Sequence, residues 1–439
     1  MSITIRELIF WIPCFVILGL MMWSASGTLA PYAATHTAPF VIQPCRYLGN
    51  LDHGIFESSY LFIDGAGRDY WHFNPILRRI LYPLIAYPFM KHYGFLEGGF
   101  IANLLITIGA VFFFAAYMSK IYGAAAARAS LVLLSTYPGI AYWAGLPYSY
   151  AAIVPCTLLC FVALDIARQQ DSPRQYYYSA IVIGLLAVAY DLLPFFGAGL
   201  LLLLLWRMRF ATLLVCFALL IAPTISTIVI LYYGFDAPVQ TSNSASYGTI
   251  VSSYLHPPQF EVWWSVLKDV PSIFYQNYLH SNFFVLPVSF LGALLLGHVW
   301  WKIRLSQTEI VVLVLVMGVF LFNNLAPPYQ GVWQLRGTWI ARLYQPVFVV
   351  YIVYLARLVA GAVKEQKKSW IPQMLVAVTV LLNSMIVFGP IFGVGPASIV
   401  YHRFYQHVQD DSAFERNLQK FGRRPLGKCK RRRGRSKAV

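Results

Sequence analysis

Acidic side chains are few in this chain and unevenly placed. Five of the 17, Asp52, Glu57, Asp64, Asp69 and Glu97, lie between Leu29 and Phe100, in a polar interruption of otherwise apolar sequence. A carboxylate in such a loop has two uses. It can cap a helix or sit in water, or it can act as a general base, taking a proton from a hydroxyl as that oxygen attacks carbon. Asp52, in NLDHGIFESSY, is the foremost candidate for the second use. Glu57 comes five residues later, so a helix here would not set the two squarely on one face. Asp64 and Asp69 flank Gly65 and Gly67, the composition of a turn.

The cations that could answer an anionic ligand fall in two places. Arg78 and Arg79 open the segment Ile76 to Tyr93, whose Ile76, Ile80, Leu84 and Phe89 fall on one side. Pro83 and Pro88 argue against a regular spanning helix, so the segment is expected to be a broken amphipathic helix lying in the membrane interface. Its arginines commonly reach up to headgroups, and their forks also match phosphate oxygens. Arg336 and Arg342 lie in PPYQGVWQLRGTWIARLYQ, on a side where Lys and Arg are otherwise sparse. The neighbouring Tyr329, Trp333 and Tyr344 need no site to explain them, because aromatic side chains favour interfaces. Asp191, in AYDLLPFF, sits beside a reversal in a long apolar stretch. Either Pro194 ends the helix there and Asp191 reaches the headgroups, or it is one of the costly buried acids that usually serve function.

The elements that must position these residues are membrane helices. Hydrophobic residues make up 59% of the 439, charged residues 11%, and mean hydropathy is +0.61. A soluble domain carries roughly twice that charge. Apolar runs near the ~20 residues needed to cross a bilayer recur along the chain. The first, Leu8 to Ala30, is expected to be a retained helix and not a cleaved signal. Others follow at Phe100 to Met118, from Ala124, at Tyr150 to Ile166 and at Ser179 to Asp191. A further run returns to Arg207 and Arg209, and then come Leu213 to Tyr233 and one ending at Lys302. The last three are Ile310 to Leu325, Tyr344 to Arg357 and Ile371 to Phe392, which makes eleven in all.

Arg6 ahead of the first run places the N-terminus inside, and each short loop assigned inside up to Lys368 carries Lys or Arg. The fold class is therefore all-α, a polytopic transmembrane bundle over residues 1–400 with an active-site loop at 30–99 and a basic tail at 401–439. Residues 416–439 hold eleven Lys or Arg and no acid. Such an arm is attracted to anionic membrane lipids, and no folded basic module suggests nucleic acid.

Other chemistries find no support. The nine histidines show no ligand pattern, and no P-loop, GxGxxG or GxSxG is present. A divalent metal is neither indicated nor excluded. Cys14, Cys156, Cys160 and Cys216 fall in or at the ends of apolar runs and are expected to be small core residues.

On Asp52, RRILYPLIA at 78–86, YPGIAYWAGLPYSYA at 137–151, YDLLPFF at 190–196 and WQLRGTWIARLYQP at 333–346, the chain resembles the GT-C superfamily of membrane glycosyltransferases. It is most similar to the bacterial branch linked to cell-surface glycopolymers. The resemblance implies a sugar donor on polyprenyl phosphate, a glycan or lipid acceptor, and a site outside the bacterial inner membrane. It implies Asp52 as catalytic base, with the donor phosphate on Arg342 and on Arg336 or Arg78. Asp191 would order the site or bind acceptor, and Glu57 joins the substrate-binding set. Many such enzymes pair the acid with a second one; here His53 follows Asp52, so no metal bridge is implied. The alternative is a flippase or transporter of lipid-linked sugars, for which ionisable residues at mid-membrane and symmetric repeats are expected.

An odd number of spans places the tail on the side of the first loop. Cys429 should then react with a membrane-impermeant thiol reagent in intact cells, after mild reduction if it is paired with Cys45. Labelling only in opened cells would put the tail inside and make the span count even.

Overall fold

The structure is a computed structural model that describes residues 7, 9–23, 79–93, 95–144, 149–190, 193–234, 264, 268, 285–324, 345–365 and 370–388. No strand occurs among them. In chain order the helices are α1, Ile9–Trp23; α2, Leu81–Tyr93; α3, Phe95–Tyr122; α4, Ala124–Ser135; and α5, Pro138–Ala144. A 3-10 turn, Ser149–Ala152, leads into α6, Ile153–Gln170. Next come α7, Pro173–Ala187, α8, Pro194–Trp206, and α9, Phe210–Val229, prolonged by a π turn. The chain closes with α10, Val285–Trp301, α11, Gln307–Asn324, α12, Gln345–Glu365, and α13, Trp370–Phe388.

Each of the eleven expected apolar runs holds one of these helices. Four, α3 from Glu97, α6, α9 and α12 from Pro346, are long and apolar enough to cross a membrane. The remaining apolar helices are shorter. The joints follow local chemistry. Gly123, at φ 91, ends α3 in a conformation that glycine adopts without penalty, and α4 starts at the next residue. Ser172 caps α7 by accepting from the Gln175 amide, and Pro173 fills the first helical position, where no donor is needed.

Two helices form the centre. Residues Phe348 to Ala356 of α12 are all buried, and α6 is buried over most of its circumference. A helix that is apolar all round belongs inside. Around this pair, α4 and α10 pack against α12, and α3 and α7 against α6. Outward faces are apolar as well: Phe112 and Phe113 of α3, Leu214 and Phe217 of α9, and Leu291 and Leu295 of α10 are exposed. Water would penalise so large an apolar exterior, whereas a bilayer accommodates it.

Helix α2 departs from expectation. It is continuous through Pro88 and buries Tyr82, Pro83, Ala86 and Met90, while Leu84 is exposed. Pro83 falls in the first turn, where its missing amide costs nothing. The buried face is chosen by α3, on which α2 folds back antiparallel. Tyr82 meets Asn103, and a Cβ on Gly98 would lie 2.3 Å from the Phe89 carbonyl oxygen. The segment is therefore half of a tight helical hairpin and does not stand alone; its expected Ile76 and Arg78 lie outside the described residues.

The same close approach joins α7 to α9, where a Cβ on Gly184 would meet the Leu219 carbonyl at 2.9 Å and Leu220 backbone at 3.0 Å. Gly109 of α3, by contrast, has open space. Gly184→Ala should therefore lower the melting temperature of the detergent-solubilised protein, at a cost of about 1–3 kcal/mol for the overpacked contact. Gly109→Ala should leave it unchanged or raise it, since Ala is about 1 kcal/mol better in a helix. Equal responses at the two positions would contradict this packing.

Candidate functional site

Polar contacts gather at the two ends of the bundle. At one end, segments far apart in sequence meet. The Arg79 guanidinium lies over the Tyr190 ring, 4.6 Å from its centroid. Tyr82 donates to Asn103 Oδ1 at 2.6 Å, and Asn103 Nδ2 donates to the Ala144 carbonyl at 2.8 Å, tying α2, α3 and α5 together. Tyr137 stacks on Phe348 with ring centroids 3.4 Å apart, and the Tyr351 hydroxyl pairs with Thr379 Oγ1 at 2.9 Å. The result is a buried cluster of aromatic rings and an amide, with one cation held over a ring.

Of the sequence-predicted site residues, Asp52, Glu57, Asp64, Asp69, Arg78, Asp191, Arg336 and Arg342 lie outside the described residues. Glu97 is described, in the first turn of α3, and is exposed. Two members have described neighbours in direct contact: Arg78 precedes Arg79 and Asp191 follows Tyr190 in the chain. Among the described residues, no group of three or more His, Cys, Asp or Glu could hold a metal ion.

At the opposite end is a constellation that sequence reading missed. Asp165 of α6 is fully buried. Its Oδ1 accepts from Arg168 Nε at 2.9 Å and Thr308 Oγ1 at 2.7 Å. Its Oδ2 accepts from the Tyr117 hydroxyl, from Gln169 Nε2 at 2.7 Å and, more distantly, from the Tyr122 hydroxyl at 3.4 Å. Beside Thr308, the equally buried Glu309 accepts through Oε2 from Arg357 and from the Ser306 amide. Arg357 also lies over the Tyr122 ring, 5.5 Å from its centroid, and donates to the Arg304 carbonyl at 3.2 Å. Two acids and two arginines thus close a neutral clamp across α3, α6, α11 and α12. Burying a lone carboxylate in an apolar bundle is prohibitive; five donors around Asp165 make it tolerable. The signal was present in VALDIAR, an acid one turn ahead of an arginine inside an apolar run.

Next to the clamp, Arg207 donates to the Arg168 carbonyl at 3.0 Å, and Asp171 pairs with Arg207 and with Arg209, the latter at 3.3 Å. Partial desolvation pushes the Asp171 carboxyl upward. The hydrogen bond and charge of Arg207, then Tyr176 and Arg209, outweigh it and hold the group below its ordinary value. The four described cysteines are buried and unpaired, as core residues are.

Compared with family models, with curated proteins and with solved structures, the chain matches none.

The clamp makes its own prediction. Asp165→Asn strands Arg168 and should cost roughly 3 kcal/mol, the low end for breaking a buried pair because Arg168 reaches the surface in part. Adding Arg168→Gln should recover some of the lost melting temperature. A coupling within about 0.5–3 kcal/mol is expected, and strictly additive losses would show that the two do not act as a pair.

Proposed function

We propose that the chain is an integral membrane glycosyltransferase of GT-C type, moving a sugar from a polyprenyl-phosphate donor to a glycan or lipid acceptor outside the cytoplasm. One observation supports this reading above others. Segments 78–86, 137–151 and 190–196, on which the family resemblance rests, converge with the start of α12 at a single end of the bundle, through Arg79 on Tyr190, Tyr82 and Asn103 on Ala144, and Tyr137 on Phe348. The long polar segments with Asp52 and with Arg336 and Arg342 connect to helices at that same end, α2 and α12.

In this reading Asp52 takes the proton of the acceptor hydroxyl as its oxygen attacks the anomeric carbon. The bond from that carbon to the donor phosphate breaks as positive charge grows on the sugar and negative charge on the leaving phosphate. Arg342, with Arg336 or Arg78, neutralises the phosphate, and Asp191 orders the acceptor. A lipid-linked sugar transporter is the second reading. The buried Asp165 and Glu309 favour it to the extent that intramembrane acids serve transport. Both are already committed to arginines at one end of the bundle, which speaks for a structural role.

Purified protein incubated with a panel of polyprenyl-phosphate sugars should release polyprenyl phosphate with at least one of them, and a transporter would release none. In the active case Asp52→Asn should lose about 10²–10⁴ of turnover, the share a general base carries. Retention of turnover within about tenfold would remove Asp52 from that role.

A further inference from the structure

The turn joining α8 to α9, Trp206-Arg207-Met208-Arg209-Phe210, alternates large apolar residues with arginines, and the structure sorts them to opposite sides. Trp206, Met208 and Phe210 are exposed by 63%, 70% and 54%, while Arg207 and Arg209 turn back onto Asp171. We infer that this turn is a lipid-inserted anchor: a hairpin tip whose three apolar side chains occupy the acyl region of the adjacent leaflet while Asp171 holds its two arginines back and offsets one of their charges, and not a water-facing loop. The inference rests on the chain's residence in a membrane and is independent of its catalytic activity.

Three observations carry it. The first is backbone closure at the end of α8, where lipid offers no water to replace a missing partner. Arg207, Met208 and Arg209 amides donate to the Leu203, Leu205 and Leu204 carbonyls at 3.1, 3.0 and 3.0 Å, and the Arg209 carbonyl accepts from Leu213 at 2.9 Å. The 209-to-204 and 208-to-205 bonds form a complete Schellman closure. The second is charge. The two arginines that would draw the tip into water share Asp171, and Arg207 also bonds the Arg168 carbonyl. The third is continuity, since exposed Leu202 and Leu205 of α8 and Leu214 and Phe217 of α9 prolong the apolar surface on both sides of the tip.

A contrast sharpens the case. Among the described residues, three non-glycine positions adopt left-handed backbone: Asp171, Met208 and Lys302, each just past a helix end. Such backbone costs most side chains about 1–2 kcal/mol, and Asp is among those that best tolerate it. Lys302 and nearby Arg304 are exposed and suit water or headgroups. Met208 has neither a polar end nor backbone ease, so its side chain needs an apolar host.

The test places a nitroxide at Met208→Cys, in protein whose native cysteines are replaced by Ser or Ala, reconstituted in phosphatidylcholine vesicles. Lys302→Cys and Phe217→Cys serve as polar and lipid-facing references, and Trp206→Cys and Phe210→Cys repeat the measurement should the first variant fold poorly. Collision with a water-soluble nickel chelate should be several-fold lower at position 208 than at 302, and collision with oxygen should match that at 217. Nickel access equal to that at 302 would overturn the inference. Asp171→Asn, which frees the arginines, should raise nickel access at 208; an unchanged value would refute the role given to Asp171. Adding phosphatidylglycerol should leave the depth unchanged, and dependence on that anionic lipid would mean that the arginines bind headgroups and the tip lies outside.

Discussion

The ion pairs of Asp165 with Arg168 and Glu309 with Arg357 set the register of the bundle. A soluble helical protein chooses its helix neighbours largely by burying apolar stripes away from water. Here interior and exterior are both apolar, so that force hardly distinguishes one arrangement of helices from another. A carboxylate in such surroundings does distinguish, because only one arrangement brings it two oxygens' worth of donors. Asp165 collects them from its own helix, from α3 and from α11; Glu309 collects from α12 and its own first turn. The clamp thereby fixes four helices at once, including both central ones.

Close approach of small residues completes what the clamp begins. Gly98 and Gly184 bring backbones nearer than any side chain would permit, and they do so at the α2–α3 and α7–α9 contacts, which the residues of the clamp do not reach. Dispersion over such contacts is the other discriminating force in an apolar medium. Charge holds one end and the middle of the bundle, and shape holds its flanks.

The other end of the bundle is polar in a different way. Its polar groups are modest ones, an amide on a backbone carbonyl, a phenol on an amide, a guanidinium over a ring. At the turn after α8 the two arginines fold back onto Asp171 and leave Trp206, Met208 and Phe210 exposed.

The sequence by itself determined the class and the order of helices. Period, length and scarcity of charge are local properties, and each apolar run from Leu8 to Phe392 holds a helix as they required. The start of a helix at Ala124 and the break at Pro194 were equally legible, since starts and breaks depend on a few adjacent residues. The face that α2 buries was not legible, because α3 selects it through a register no pattern within 76–93 encodes. Nor were the roles of Asp165 and Glu309, or the pairing of Arg207 and Arg209 with Asp171, which read as ordinary inner-loop charges. The candidate site was legible only as a set of residue types, Asp52, Asp191, Arg336 and Arg342, in particular loops. Partnership across 140 residues, as between Arg168 and Thr308, is decided by tertiary packing alone. The physical reason is that a charge's free energy depends on every group brought near it, and the sequence lists only those beside it in the chain.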